Sequence, residues 1–404
     1  MHRSTAGPRL ARWKAALALA VTTTSLVASA SVANAATFNP VDGPALQSAI
    51  VLANSTAAQD TIILRAESYL VFGTLTITNP LVITGDHANQ SQNGGPTIDA
   101  TFVDPASTGD FLTIATGVNV SLQGITLTNA GDAAAVAIRN NGNLRLENAV
   151  LSGNGGTQLS NQAGSTSVIN NTSIDNGAGP GVTNTSATAV FNNSLVAFNN
   201  VGVFSNVAST VRFNNTIIAA NDPSGNGFNN CNRAATSQIR SMSSDATCGV
   251  SFQNTDPLLV ASTRNGGPSQ SLALEPTSPA INAGDNATCQ TTDQRFFPRT
   301  DGACDIGAYE FGAVQDIVAP TCTVTQLRAG PPKQQDVTAI DSGSGLGSDA
   351  ISNTSITNGS IAFTPFVNPS RSGLVLTATK SDQQVTTSWS FTATDWAGNA
   401  KFCI

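Results

Sequence analysis

Five segments of the chain repeat one another at spacings of 24, 23, 22 and 22 residues, and this period restricts the fold more than any other feature. The segments open at Val120, Leu144, Ser167, Ala189 and Val211, and their shared centre falls at Gly124, Asn148, Asn171, Asn193 and Asn215. Periods of roughly 20 to 50 residues belong to solenoids, propellers and arrays. A propeller blade needs about 40 residues, and the Leu-x-x-Leu-x-Leu frame of a leucine-rich repeat is missing. A β-helix of short strands and Asn/Gly turns fits the period. Two residues before each centre stand Leu122, Leu146, Ile169, Phe191 and Phe213. Strand alternation puts them on one face, where coils stacked about 4.8 Å apart would align them as one apolar column. The centre asparagines are expected to stack as an amide ladder. Between column and centre lies a row predicted to face outward: Gln123, Glu147, Asn170, Asn192 and Asn214.

The repeat needs an end cover, because an open coil exposes core and strand edges. Ala45, Leu46, Ala49, Ile50, Leu52 and Ala53 follow Gly43-Pro44 at helical spacings. They predict one short capping helix. Residues 61–64, 75–77 and 81–83 are β-rich runs separated by turn residues. Residues 221–313 lose the period and are expected to supply the final coils and a C-terminal cover.

Arg3, Arg9, Arg12 and Lys14 precede an apolar run from Ala15 to Val32, which closes on Ala33-Asn34-Ala35 before Ala36. A basic start, an apolar middle and small residues at −3 and −1 predict a secretory signal peptide over residues 1–35. The run is too short and too rich in Thr and Ser for a comfortable membrane span, which needs roughly 20 apolar residues. Removing it takes away four of the 18 Lys+Arg and none of the 25 Asp+Glu, leaving 14 against 25, a net charge of −11. Such a surface argues against nucleic acid or anionic lipid as partner. No lysine occurs between Ala36 and Pro332, and nothing in the sequence explains that absence. All six cysteines follow residue 230, and an even count in an exported chain suggests disulfides. Six cysteines allow 15 connectivities. Sequential pairing, Cys231 with Cys248, Cys289 with Cys304 and Cys322 with Cys403, is preferred: the first two would clip irregular segments, and the third would join the ends of one domain. Zinc is disfavoured, because no Cys-x-x-Cys occurs and only His87 remains after the leader.

From about Val318 the composition changes to short alternating runs such as Gly373-Leu-Val-Leu-Thr-Ala-Thr379. About 85 residues of short strands and turns suit a β-sandwich. Two blocks carry a family resemblance. Asp256-Pro-Leu-Leu, Asn265-Gly-Gly-Pro, Ser278-Pro-Ala-Ile-Asn-Ala-Gly-Asp285, Asp293-Gln-Arg and Gly302-Ala-Cys-Asp-Ile-Gly-Ala-Tyr-Glu310 resemble the choice-of-anchor Q domain of exported bacterial pectate-lyase-like β-helices. The family's cysteine-bearing opening motif is replaced here by Gly43 to Ile50. Pro331-Pro-Lys-Gln, Asp341-Ser-Gly-Ser-Gly-Leu and Asp395-Trp-Ala-Gly-Asn resemble an immunoglobulin-like module found after such helices. The expected architecture is all-β: signal peptide 1–35, right-handed parallel β-helix with closing segment 36–313, linker 314–320 and immunoglobulin-like sandwich 321–404. The family name implies surface attachment by a C-terminal anchor, and none is read after Cys403. Neither resemblance transfers an activity or a catalytic set.

Parallel β-helices often cleave polysaccharides, but fold is not function. The acids of the repeat, Asp110, Asp132, Glu147 and Asp175, fall at different phases. Only Asp132 with Glu147 approaches the roughly 5 to 10 Å carboxylate pair of a glycosidase, and their spacing does not bring them together. Arg145 and Arg212 share a phase but stand three coils, about 14 Å, apart. His87 lies in a polar loop without a nucleophile motif. The outward row Gln123, Glu147, Asn170, Asn192 and Asn214 is the candidate glycan-facing surface, although aromatic platforms are scarce. Asp341 and Asp395 with Asn399 could hold calcium, but Asp-x-Gly turn chemistry is the preferred account of them. No catalytic residue, metal or cofactor is assigned. The expected function is an exported, non-enzymatic surface or matrix protein, adhesin or scaffold, whose partner is a carbohydrate or cell-surface component. A polysaccharide lyase or glycoside hydrolase is the alternative.

Overall fold

Strand follows strand around a stack, three to each coil. The computed structural model describes residues 35–65, 68–86, 95–100, 109–131, 135–222, 229–300, 302–363, 373–382, 384–395, 397 and 399–404, without the side chains of 347–349 and 363. Residues 1–34 of the expected leader, His87 and Asp132 lie outside the described residues. The chain is a parallel β-helix with one short helix and a C-terminal antiparallel region. Nine, eight and six parallel strands form the first, second and third sheets of the stack. In the first sheet Asn119–Gln123, Asn143–Glu147, Thr166–Asn170, Thr188–Asn192 and Thr210–Asn214 pair without a register slip. The predicted column is therefore real. Leu122, Leu146, Ile169, Phe191 and Phe213 are fully buried, and the rings of Phe191 and Phe213 lie 5.1 Å apart.

The capping helix is Gly43–Ala53. Asp42 accepts the amide of Ala45 at 2.8 Å, and Pro44 occupies the first turn, where no donor is needed. Its buried face, Leu46, Ala49, Ile50 and Ala53, joins the main core. Among the described residues no helix is long and apolar enough to cross a membrane.

The closing segment does more than finish the stack. Ser237–Ile239 and Met242–Ser243 add a last strand each to the first and second sheets. From there the chain turns back along the flank. Leu195, Ile217 and Met242 point outward from the second sheet, and they need cover. Leu272, Leu274, Ala280, Ile306 and Ala308 pack on them as a second core. The centre residues hold this cover in place. Asn148, Asn171, Asn193 and Asn215 adopt left-handed backbone, φ 44–50°, which Asn tolerates better than most residues. Strand alternation stops there, and their amides reach the cover instead of one another. Asn148 donates to the Asp293 carbonyl (2.6 Å), Asn193 to that of Asp305 (3.3 Å) and Asn215 to that of Asp285 (3.0 Å), while Asn171 accepts from Arg299 (3.5 Å). The ladder expected at the centres is thus displaced by one residue, to Asn170, Asn192 and Asn214, whose amides bond in sequence at 2.8 Å.

The antiparallel region places a four-stranded sheet (Thr321–Arg328, Gln334–Ile340, Leu374–Lys380, Gly359–Phe363) against a three-stranded one (Leu346–Ile356, Trp389–Asp395, Ala400–Cys403). Val337, Leu346, Leu374, Leu376 and Phe391 form their shared core. All six cysteines are bonded in sequential order, with Cα–Cα distances of 5.0, 6.3 and 6.1 Å.

Candidate functional sites

The predicted glycan-facing row lies on the outer face of the first sheet, as alternation requires, but it is not open to solvent. Gln123, Glu147 and Asn170 are 2%, 0% and 1% exposed, and only Asn192 and Asn214 are half-buried. The row borders the turn that the closing segment grips, so exposure rises away from it, toward Asn119 and Asn143 at the far edge of the same face. Arg145 meets Glu147 through two bonds of 2.9 and 3.0 Å, and its guanidinium lies 2.8 Å from the Asn170 amide. Within the row Asn192 donates to Asn170 and Asn214 to Asn192, Glu147 is held by Arg145, and Gln123 donates to Ser121. Arg145 and Arg212 align in register across two intervening valines, Val168 and Val190. Among the described acids of the repeat, Asp110 and Asp175 are likewise engaged. Asp110 pairs with Arg139. Asp175 is buried, which pushes its carboxyl up to about 6, against bonds from Ser152 and Asn176.

The motif residues of the closing segment serve structure. Asp293 and Arg295 form a buried pair, and the Arg295 guanidinium lies 3.7 Å from the centre of the Tyr309 ring and 4.4 Å from that of Phe297. Arg299 pairs with Glu310, both buried. Burial pushes the Glu310 carboxyl up to about 7, with Arg299 opposing it.

A carboxylate cluster sits where the stack runs into the sandwich. Asp316, Asp341 and Asp395 are buried, with one oxygen of each within 4.8 Å of the others. Asp341 and Asp395 were expected together. Asp316 was not, because it falls in the segment read as a linker. It accepts the Ser344 amide (2.6 Å), and its carbonyl accepts Asn399 (3.0 Å). Burial, with smaller contributions from Asp341 and Asp316, pushes Asp395 up to about 7 against two bonds from Asn399. Three carboxylates at this density could hold a hard divalent cation.

The third site was missed from sequence. A cavity of about 380 Å³ opens in the sandwich between Leu327, Arg328, Lys333, Gln335, Lys380 and Trp389. The amide of Lys380 donates to the carbonyl of Lys333, just before the strand Gln334–Ile340, at 2.9 Å, so the two backbones meet there. Trp389 donates its indole N–H to Gln335 (3.2 Å) and stacks on Phe391, ring centres 5.7 Å apart. Arg328 pairs with the largely buried Asp336. The sequence did carry a signal. Only three lysines follow residue 35, and two of them line this one cavity.

No family model and no curated protein matches the chain, so the choice-of-anchor resemblance rests on its motifs alone. Among solved structures, pectate lyase Pel9A is similar at a TM-score of 0.40 and 14% identity, over 69% of this chain and 97% of that one.

Proposed function

We propose that the chain is an exported, non-enzymatic surface or matrix protein that holds acidic saccharides in its C-terminal sandwich, with the β-helix as a rigid scaffold. We read the sandwich as an immunoglobulin-like module and the closing segment as a choice-of-anchor Q cover. The observation that carries the proposal is the convergence of Lys333, Lys380 and Trp389 on one cavity. Its volume falls in the range of small-molecule pockets, roughly 300 to 1,000 Å³. A sugar ring offers an apolar C–H face for an indole that is already held by Gln335 and Phe391. Its hydroxyls suit the amides of Gln334 and Gln335 and the hydroxyl of Thr387, which also line the cavity. A carboxylate or sulfate on the sugar suits two ammonium groups, and charge-assisted bonds are the stronger kind. Lysines gathered in one cleft of a net-negative chain also focus the field there. The leader-like start and three disulfides support export.

The cleaving alternative has less support. Glu147, the one carboxylate of the predicted row, is buried and gripped by Arg145.

Calorimetric titration of residues 36–404 with an oligogalacturonide and with a neutral cello-oligosaccharide tests the proposal. Binding is expected for the acidic ligand alone, weakened by salt and weakened at least tenfold by Lys333→Gln with Lys380→Gln, and by Trp389→Ala. Equal binding of the neutral ligand, or an unchanged double variant, would overturn it.

A further inference from the structure

At the other end of the chain, a buried carboxylate waits on the backbone nitrogen of the residue after the expected cleavage point. Asp60 is fully buried at the start of the strand Asp60–Leu64. One of its oxygens accepts the Ala36 N–H at 2.6 Å, and the other accepts the Thr56 hydroxyl at 2.8 Å. Among the described residues no Lys, Arg or His pairs with it. A buried carboxylate without a cation is costly. Ala36 is held from its other side as well. Its carbonyl accepts the Thr61 amide at 2.8 Å, and Thr37–Phe38 pairs in parallel with Thr61 and Ile62 at the edge of the first sheet. Ala35, just before it, is exposed.

We propose that leader cleavage after Ala35 turns the Ala36 amide into an ammonium that Asp60 captures, so that processing itself completes the first coil. Hydrolysis breaks the Ala35–Ala36 C–N bond. The hydroxyl of water goes to the carbonyl carbon of Ala35, and the freed nitrogen gains protons to become an ammonium. The neutral donor at 2.6 Å becomes the missing counter-charge without any movement of the chain. A precursor that keeps its leader has the amide and lacks the charge. Its first strand is therefore held less firmly than that of the processed chain. The inference rests on the export reading and is independent of saccharide binding.

Three forms of the chain test it: residues 36–404 with a free Ala36 amine, the same chain Nα-acetylated, and the same chain extended by Gly-Ser. The free amine should raise the thermal midpoint by a few degrees over both blocked forms, and Asp60→Asn should abolish the difference. Should Asp60→Asn fail to fold, the free and acetylated wild-type chains still decide the matter. Equal midpoints overturn the inference. So does a difference that survives in Asp60→Asn, or an exported protein whose first residue is not Ala36.

Discussion

Replacing Arg299 by leucine removes the centre of the ionic lock inside the closing segment, a lock bonded to the stack through the contact of Arg299 with Asn171 at 3.5 Å. Arg299 donates to the carbonyls of Gly307 (2.8 Å) and Thr292 (3.2 Å) and pairs with Glu310. Both side chains are nearly inaccessible, 2% and 1% exposed. Leucine fills part of the space but leaves Glu310 buried without its counter-charge. Breaking one side of a buried pair costs about 3 to 5 kcal/mol. The loss must also depend on pH. Burial already lifts the Glu310 carboxyl to about 7, so the folded state binds its proton more tightly than the unfolded chain does. Stability from this group therefore falls as pH rises toward and through 7. Without Arg299 the carboxyl rises further, and the deficit of the variant grows from pH 5 to pH 8. Hydrogen exchange of the amides of Ile306 and Gly307, combined with urea titration at both pH values, measures it. The double change Arg299→Leu with Glu310→Leu should recover most of the loss. A deficit below about 1 kcal/mol, the scale of an exposed pair, would refute the reasoning. A deficit equal at both pH values would refute it too.

Other consequences follow from the same packing. Phe191→Ala should lower the unfolding free energy of the stack by about 3 to 5 kcal/mol, read by denaturant titration, because its ring is fully buried against Phe213. The sandwich should be more stable at pH 5.5 than at pH 8.5. Asp395 has a raised pKa of about 7, so its folded form is favoured while protonated, and Asp395→Asn should flatten the profile of thermal midpoint against pH. Replacing Cys322 and Cys403 by alanine opens a bridge across 81 residues. Loop entropy puts that loss at about 4.5 kcal/mol, and the sandwich should then melt in a separate step before the stack.

The stack was legible because its physics is periodic. One strand's alternation, repeated at 22 to 24 residues, fixes which side chains meet, and Leu122 through Phe213 align as that pattern requires. The capping helix was legible from Pro44 and the spacing of Leu46, Ala49 and Ile50. Three features were not. Alternation stops at a left-handed residue, so the pattern could not say that Asn148, Asn193 and Asn215 would turn to a segment more than 70 positions away in most cases and 70 at the least. Solvent exposure of Gln123 and Glu147 was misjudged as well: the face was right, but both are buried on it, Glu147 in a two-bond pair with Arg145. The cavity at Lys333, Lys380 and Trp389 depends on antiparallel pairing between distant strands, Gln334–Ile340 with Leu374–Lys380. Nothing local in the sequence announces that pairing. The missing lysines elsewhere were the one available hint.

The central claim is that this protein holds acidic saccharides without cutting them. Incubating residues 36–404 with polygalacturonate and other uronic-acid and neutral polysaccharides, then measuring bound protein and released fragments in the same samples, tests it most directly. The account predicts retention on the acidic polymers, lost in Lys333→Gln with Lys380→Gln, and no change in polymer length. Fragment release that Glu147→Gln or Asp132→Asn abolishes would contradict it.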